Sequence, residues 1–229
     1  MKKLIIIGGM GNGSVVASAV DDINDENLKN GRDPAWEMLG FLNDSDPVGT
    51  VINGYPVLGV PEDITETRFQ DVEIFFALIS LRYGDNNAKR LENMGLSKDR
   101  FATIIHPTAI ISKHAMIGKG VAIMPLVHIG PNCEIGNHVS LFGNCFVGHN
   151  SKLADYTYVA NNACIGADVK LEKGSYLGTN ATTLEGVTLG GWCIVGIGSV
   201  VIRDIPPMTI AAGNPAKVIR ERAFETFKK

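Results

Sequence analysis

Ile123-Met124-Pro125-Leu126-Val127-His128-Ile129-Gly130-Pro131-Asn132-Cys133-Glu134-Ile135-Gly136-Asn137-His138-Val139 repeats one pattern: a large aliphatic, then four places later a small or β-branched side chain. Stepping by six extends it outward through Ile105, Ile111, Ile117, Ile123, Ile129, Ile135, Leu141, Val147, Leu153, Val159, Ile165, Leu171, Leu177, Leu189, Val195 and Val201, and Thr183 alone breaks the run of seventeen. The follower column runs from Ala109 to Ser199 and takes in Cys133, Cys145, Ser151, Thr157, Ala163, Ala181 and Cys193. An α-helix repeats about every 3.6 residues and a half-buried strand every second one, so neither produces this spacing. Hexads fit a triangular parallel β-helix in which three make a coil and equivalent residues stack at about 4.8 Å.

Three residues after the aliphatic, twelve of the fifteen positions between His114 and Gly198 are Gly, Asn, Asp or His. These types best tolerate the left-handed backbone of a tight corner. Leu126, Tyr156 and Trp192 are the exceptions, expected to mark a different corner geometry or contacts to another chain. The repeat ends near Arg203; Asp204-Ile205-Pro206-Pro207 breaks it, and Ile219, Ala223 and Phe227 predict a final amphipathic helix.

Ahead of the repeat, residues 1–104 alternate strand and helix. Leu4-Ile5-Ile6-Ile7 reads as a buried strand, Gly8 to Gly13 as a glycine-rich turn, and Ser14 to Ile23 as a helix, with a polar loop from Asn24 to Pro34. Further strands are predicted at Glu37 to Leu42 and Ile74 to Ile79, and a helix around Asn87 to Met94. The chain thus divides into a small Rossmann-like α/β domain with a parallel sheet (1–104) and a β-helix with its C-terminal helix (105–229).

Composition narrows the function. Across 229 residues, 45% apolar and 20% charged, 21 Lys and Arg stand against 24 Asp and Glu for a net charge of −3. No basic excess argues for nucleic acid or an anionic membrane, and the composition excludes disorder and collagen-like repetition. No apolar run suits a signal-peptide core or a membrane span. The four cysteines lie far apart without a CxxC pair, which points to neither zinc knuckle nor disulfide framework, and a cytoplasmic location is expected. Cys133, Cys145 and Cys193 read as buried fillers; Cys164, outside the follower column, has no sequence-defined acid–base partner.

The hexad array with its terminal Ala212-Gly213-Asn214-Pro215-Ala216-Lys217 resembles the hexapeptide-repeat acyltransferases, which fold as a left-handed β-helix and act as trimers. Ile7-Gly8-Gly9-Met10-Gly11-Asn12-Gly13, Gly54-Tyr55-Pro56-Val57-Leu58-Gly59 and Ile105-His106-Pro107 are similar to the bacterial sugar O- and N-acyltransferases. That branch includes sialic acid O-acetyltransferase and the N-acetyltransferases of nucleotide-linked 4-amino sugars, enzymes of cell-surface polysaccharide biosynthesis. The resemblance implies acetyl-CoA as co-substrate, no metal, a nucleotide-sugar or sugar acceptor, and a homotrimer with intersubunit active sites. N-acetylation of a nucleotide-linked 4-amino sugar is the leading reading. O-acetylation of sialic acid or a related sugar is the alternative, and a non-catalytic binding protein on the same scaffold a further one.

Of the five histidines, His114 and His138 fall in the corner column, His106 precedes a proline at the domain junction, and His128 precedes a core aliphatic. His149, in Gly148-His149-Asn150, stands two after the aliphatic, where backbone geometry does not call for histidine. The resemblance assigns the general base to the same residue, and imidazole suits proton removal from an amine or hydroxyl attacking a thioester. Asn150 replaces the usual family carboxylate. Column arithmetic places Asp168 beside Asn150 and diagonal to His149, so Asp168 is expected to supply the carboxylate. Tyr158 occupies the position of a family histidine that meets acyl-CoA near its thioester, and Gly166 and Ala167, one coil beyond Gly148 and His149, are expected near the CoA arm. In the front domain the resemblance assigns Met10, Gly11 and Asn12 to the nucleotide-sugar, Asn43 and Asp44 to the family's acidic position, and Ser80 to a position of glycine. Ser14 stands where a GxGxxG fingerprint from Gly9 needs its last glycine, so an NAD site fits poorly. β-Helix carbonic anhydrases hold zinc with three histidines, but no histidine pair here has that spacing.

Overall fold

The computed structural model describes residues 1–79, 81 and 84–222. Its front part comprises β1 (Lys2–Ile7), α1 (Asn12–Lys29), β2 (Trp36–Leu42), β3 (Val51–Ile52), β4 (Tyr55–Gly59), β5 (Glu73–Phe76) and α2 (Gly84–Asn93). The strands form one sheet in the order β3-β4-β2-β1-β5, parallel except for the β3–β4 hairpin. Leu4 to Ile7 are wholly buried because both sheet faces are covered: Leu4 and Ile6 pack with Val16, Ala17 and Val20 of α1, Ile5 and Ile7 with Ala88 and Leu91 of α2.

Several boundaries differ from the sequence expectation: α1 starts at Asn12 in place of Ser14, α2 at Gly84 in place of Asn87, and two further shifts have a visible cause. The helix expected to stop at Ile23 continues to Lys29, through the predicted loop. Asn24 explains the extension: its side chain caps the start of β2, donating to Trp36 O at 2.8 Å and accepting from Trp36 N at 3.0 Å, which requires helix at this point. The strand expected to reach Ile79 ends at Phe76, because the next carbonyls serve side chains: Leu78 O accepts from Asn87 at 2.7 Å and Ile79 O from Asn12 at 3.1 Å.

From Ile104 each hexad supplies one two-residue strand, and three parallel sheets close a triangular prism. The first face carries Ala122–Ile123, Ser140–Leu141, Tyr158–Val159 and Tyr176–Leu177; the second His128–Ile129, Phe146–Val147, Cys164–Ile165 and Thr182–Thr183; the third Glu134–Ile135, Lys152–Leu153 and Lys170–Leu171. The aliphatic and follower columns fill the interior together. Burial raises the thiols of Cys145 and Cys193 to about 12, as fits inert fillers, while Cys164 is exposed. The first aliphatics, Ile105 and Ile111, stay partly exposed, since no coil lies beneath them.

The corner column has the left-handed backbone predicted for it, with φ from 56° to 74° at every position after His114, which alone is not left-handed. Leu126, Tyr156 and Trp192 do not mark a different geometry: their φ values are 60°, 63° and 57°. Tyr156 and Trp192 instead pack against the front sheet of their own chain. Gly120, His138, Tyr156, Gly174 and Trp192 form one stacked corner along that junction. Gly174 is needed there because a Cβ would lie 2.2 Å from the Trp192 indole. The α/β part lies over the first face, where Val16 and Ala17 share a core with Ala122, Met124 and Phe142. His106 fastens the junction, bonding Thr108 at 2.9 Å and Asp22 at 3.2 Å.

After the last coil, Thr209–Ala212 adds a parallel strand to the first face and Lys217–Glu221 pairs with it in antiparallel fashion. The final helix expected from Ile219, Ala223 and Phe227 is therefore corrected at Ile219, which is strand because its segment returns along an open sheet edge. Residues 223–229 lie outside the described residues. No helix among the described residues is long and apolar enough to cross a membrane.

His138 yields a stability prediction. Its ring stacks on Tyr156 at 5.1 Å and meets Phe101 edge-on at 4.6 Å, with Nδ1 buried and unpartnered among the described residues. Burial pushes its pKa down to about 4, and nearby Asp155 and Glu92, opposed by Lys98, only partly counter this. The unfolded chain thus binds a proton below about 6.5 that the folded chain refuses until about 4, so stability is full above 6.5 and falls as pH drops across that window. His138→Asn, which tolerates the left-handed corner, is expected to show a shallower loss of Tm between pH 6.5 and 4.5 than the parent.

Candidate active site

His149 sits on the corner joining the second face to the third, between Phe146–Val147 and Lys152–Leu153. Its side chain is exposed, and its carbonyl accepts from Asp168 N at 2.9 Å. Asn132, Asn150 and Asp168 stack along this corner as a ladder: Asn132 donates to Asn150 at 3.2 Å, and Asn150 to Asp168 Oδ1 at 3.0 Å. Asp168 is thus beside Asn150, and among the described residues no hydrogen bond joins it to His149. Gly166 and Ala167 lie one coil beyond Gly148 and His149, as the β-helix register requires. Ala167 N–H finds no acceptor among the described residues.

Tyr158 is elsewhere, on the first face. Its ring lies between Phe142 and Tyr176, both at 4.8 Å, and its hydroxyl is 3.4 Å from Asn12 Oδ1. Burial raises the phenol pKa, so it stays protonated and can donate. The structure therefore joins Tyr158 to the glycine-rich loop and separates both from the His149 corner, which is opposite the face that the α/β part covers.

In that loop Met10 is 80% exposed, and Gly11, with φ of 95°, leads into α1. Gly9 must lack a Cβ, which would lie 2.2 Å from Asn43 Nδ2. Asn43 is buried and held by Ser45 N and Asp46. Asp44 points to Arg90 at 2.8 Å, and Arg90 also grips Glu62, holding that carboxyl below its usual range. Ser80 lies outside the described residues. Sequence reading missed Arg90, Glu62 and Asp46; polar residues on separate elements leave no shared spacing to find. Among the described residues no group of three or more His, Cys, Asp or Glu side chains is placed to hold a metal.

The outer residues of the prism also differ by face. On the second face Ile110, His128, Phe146, Cys164 and Thr182 are exposed and none is acidic or basic like Lys or Arg, whereas the third presents Glu134, Lys152 and Lys170. The fold, an α/β part followed by hexapeptide repeats, is shared with known acetyltransferases. Residues 102–200 match the model for the GMPPB C-terminal domain family. The acetyltransferase domain of PglB from Neisseria gonorrhoeae aligns with TM-score 0.81 and 25% identity over 96% of this chain and 100% of its own. PerB from Caulobacter crescentus, solved with CoA and GDP-perosamine, aligns with TM-score 0.77 and 27% identity over 95% of this chain and 97% of its own. UDP-N-acetylbacillosamine N-acetyltransferase of Bacillus subtilis is 33% identical over 126 residues, 54% of this chain; the chain spans about half (52%) of that relative's length. In its α/β part followed by a β-helix the chain is similar to the hexapeptide-repeat sugar acetyltransferases.

Proposed function

We propose that the chain transfers an acetyl group from acetyl-CoA to the amino group of a nucleotide-linked 4-amino sugar, in the cytoplasm, as a step toward cell-surface polysaccharide. The observation that carries this reading is the full-length likeness to PerB, solved with CoA and GDP-perosamine, together with a histidine on the β-helix corner. Residues 1–104 select the acceptor through Met10, Gly11, Asn12, Asn43 and Asp44, with Ser80 assigned to the same site. Residues 105–229 hold the acyl donor.

His149 takes the proton as the amine nitrogen attacks the thioester carbonyl carbon. Ala167 N–H stabilises the oxyanion. The carbon–sulfur bond then breaks, and the imidazolium returns the proton to the CoA thiolate, leaving acetamide and free thiol. No acyl-enzyme is formed. Asp168, on the same corner, supplies the carboxylate whose charge favours the imidazolium without a direct hydrogen bond. The exposed second face, free of acidic and Lys or Arg side chains, fits a second copy of the chain. A homotrimer built on it would bring the glycine-rich loop and Tyr158 of one protomer toward His149 of another, beside Gly166 and Ala167.

The test is thiol release from acetyl-CoA against a panel of nucleotide-linked 4-amino sugars, free sialic acid and simple amino sugars. Turnover is expected with a nucleotide-linked amine. Turnover with sialic acid alone would overturn the acceptor assignment. Silence across the panel, with acetyl-CoA binding shown separately, would overturn the acceptor class.

A further inference from the structure

One rung of the β-helix is missing, at Gly166, which stacks on Gly148 and precedes the residue stacked on His149. The residue after each aliphatic normally donates its N–H to the aliphatic carbonyl one coil on, as Gly130 does to Val147 at 2.8 Å, Gly148 to Ile165 at 2.9 Å and Leu184 to Val201 at 2.7 Å. Gly166 instead donates to the Thr183 hydroxyl at 3.0 Å, and the strand pairing there shrinks to Cys164 with Thr182. Thr183 is the one residue that breaks the aliphatic column. The other end of the unit is also held by a hydroxyl from the interior: Ser151, wholly buried, donates to Gly166 O at 2.9 Å. Its oxygen accepts in turn from Val169 N at 3.1 Å, which fixes the direction of its proton.

The consequence follows from peptide geometry. In a trans peptide the C=O and the following N–H point to opposite sides. Gly166 O is drawn inward to Ser151, so Ala167 N–H is directed out of the prism, on the coil next to His149, with no acceptor among the described residues. Resting on the acyl-transfer reading above, we infer that Thr183 and Ser151 are positioning residues that aim Ala167 N–H at the acyl oxygen of acetyl-CoA. A valine at 183 would complete the aliphatic column and allow the regular rung. The hydroxyl therefore serves orientation in place of regular packing.

Thr183→Val separates the two roles. The expected result is a kcat lowered tenfold or more, in line with the roughly 10²–10³ effect of losing an oxyanion donor outright. KM for both substrates should stay within about twofold and Tm should not fall. Thr183→Ser, which keeps the hydroxyl, should retain activity. Ser151→Ala supplies a second variant that packs, since Ala163 and Ala181 already occupy its column. Infrared spectra of carbonyl-labelled acetyl-CoA give a readout without an acceptor: the bound carbonyl stretch should shift to lower frequency in the parent and less so in Thr183→Val. Parental kcat in Thr183→Val, or equal loss in Thr183→Ser, would overturn the inference, as would equal carbonyl shifts in parent and variant. A parent that turns over no acceptor defeats the acceptor reading instead, and the infrared comparison still decides the role of Thr183.

Discussion

Replacing His149 with Ala is expected to lower kcat for acetyl transfer by about 10²–10⁴, the usual contribution of a positioned general base. The side chain has no hydrogen-bond partner among the described residues and is exposed, so its removal should leave Tm and the β-helix unchanged. That independence makes the experiment clean: a fall in rate cannot be ascribed to lost packing. His149→Asn is the sharper variant, since an amide retains polar contacts and cannot accept the proton. A general base acts only when unprotonated, so the acid limb of the parent's kcat profile should disappear in both variants. The remaining slow reaction should rise with pH as the acceptor amine itself loses its proton. Affinity for acetyl-CoA, measured by titration, is expected to stay within a few-fold of the parent. A parental rate in His149→Asn would remove His149 from the mechanism.

The β-helix was legible because its physics is one-dimensional: an interior side chain every six residues and a corner that demands left-handed backbone leave periodic marks. The same arithmetic placed Asp168 beside Asn150, where the 3.0 Å hydrogen bond is found. It could not say which way Asn150 and Asp168 face relative to His149, because column position fixes the coil and not the rotamer. Aromatics in the corner column were visible as exceptions, yet their cause lies in packing against a distant part of the chain. Tyr156 and Trp192 keep the standard corner and use their rings at the domain junction. Thr183 shows the converse: the break in the pattern was plain, but its meaning depends on Gly166 bonding to a side chain in place of a carbonyl. The end of α1 was hidden because Asn24 reads as a loop former until its bonds to Trp36 are seen.

The largest stability effect is expected at the Arg222–Asp85 pair. Arg222 follows the terminal strand Lys217–Glu221 and reaches back across the junction to Asp85 in the first turn of α2, at 3.2 Å. Both side chains are buried, 8% and 6% exposed, and Arg222 also donates to Trp192 O at 3.0 Å. Arg222 thus ties the last corner of the prism to the α/β part at the start of α2. Arg222→Met leaves a buried carboxylate without its partner, a loss on the order of 3–5 kcal/mol. Asp85→Leu leaves a buried guanidinium with carbonyl acceptors alone and should cost somewhat less. The double variant, which removes both charges, should be more stable than Arg222→Met, so the cycle is strongly non-additive. Denaturant unfolding followed by tryptophan fluorescence suits the measurement, since the Arg222 guanidinium lies over the Trp192 ring, 5.9 Å from its centroid, and Trp36 opens β2. In Arg222→Met the α/β domain is expected to unfold before the prism, giving two transitions in place of one. Additive single losses would show that the pair is only two surface-like contacts. Coupled losses would establish that Arg222 and Asp85 act as one buried pair across the junction.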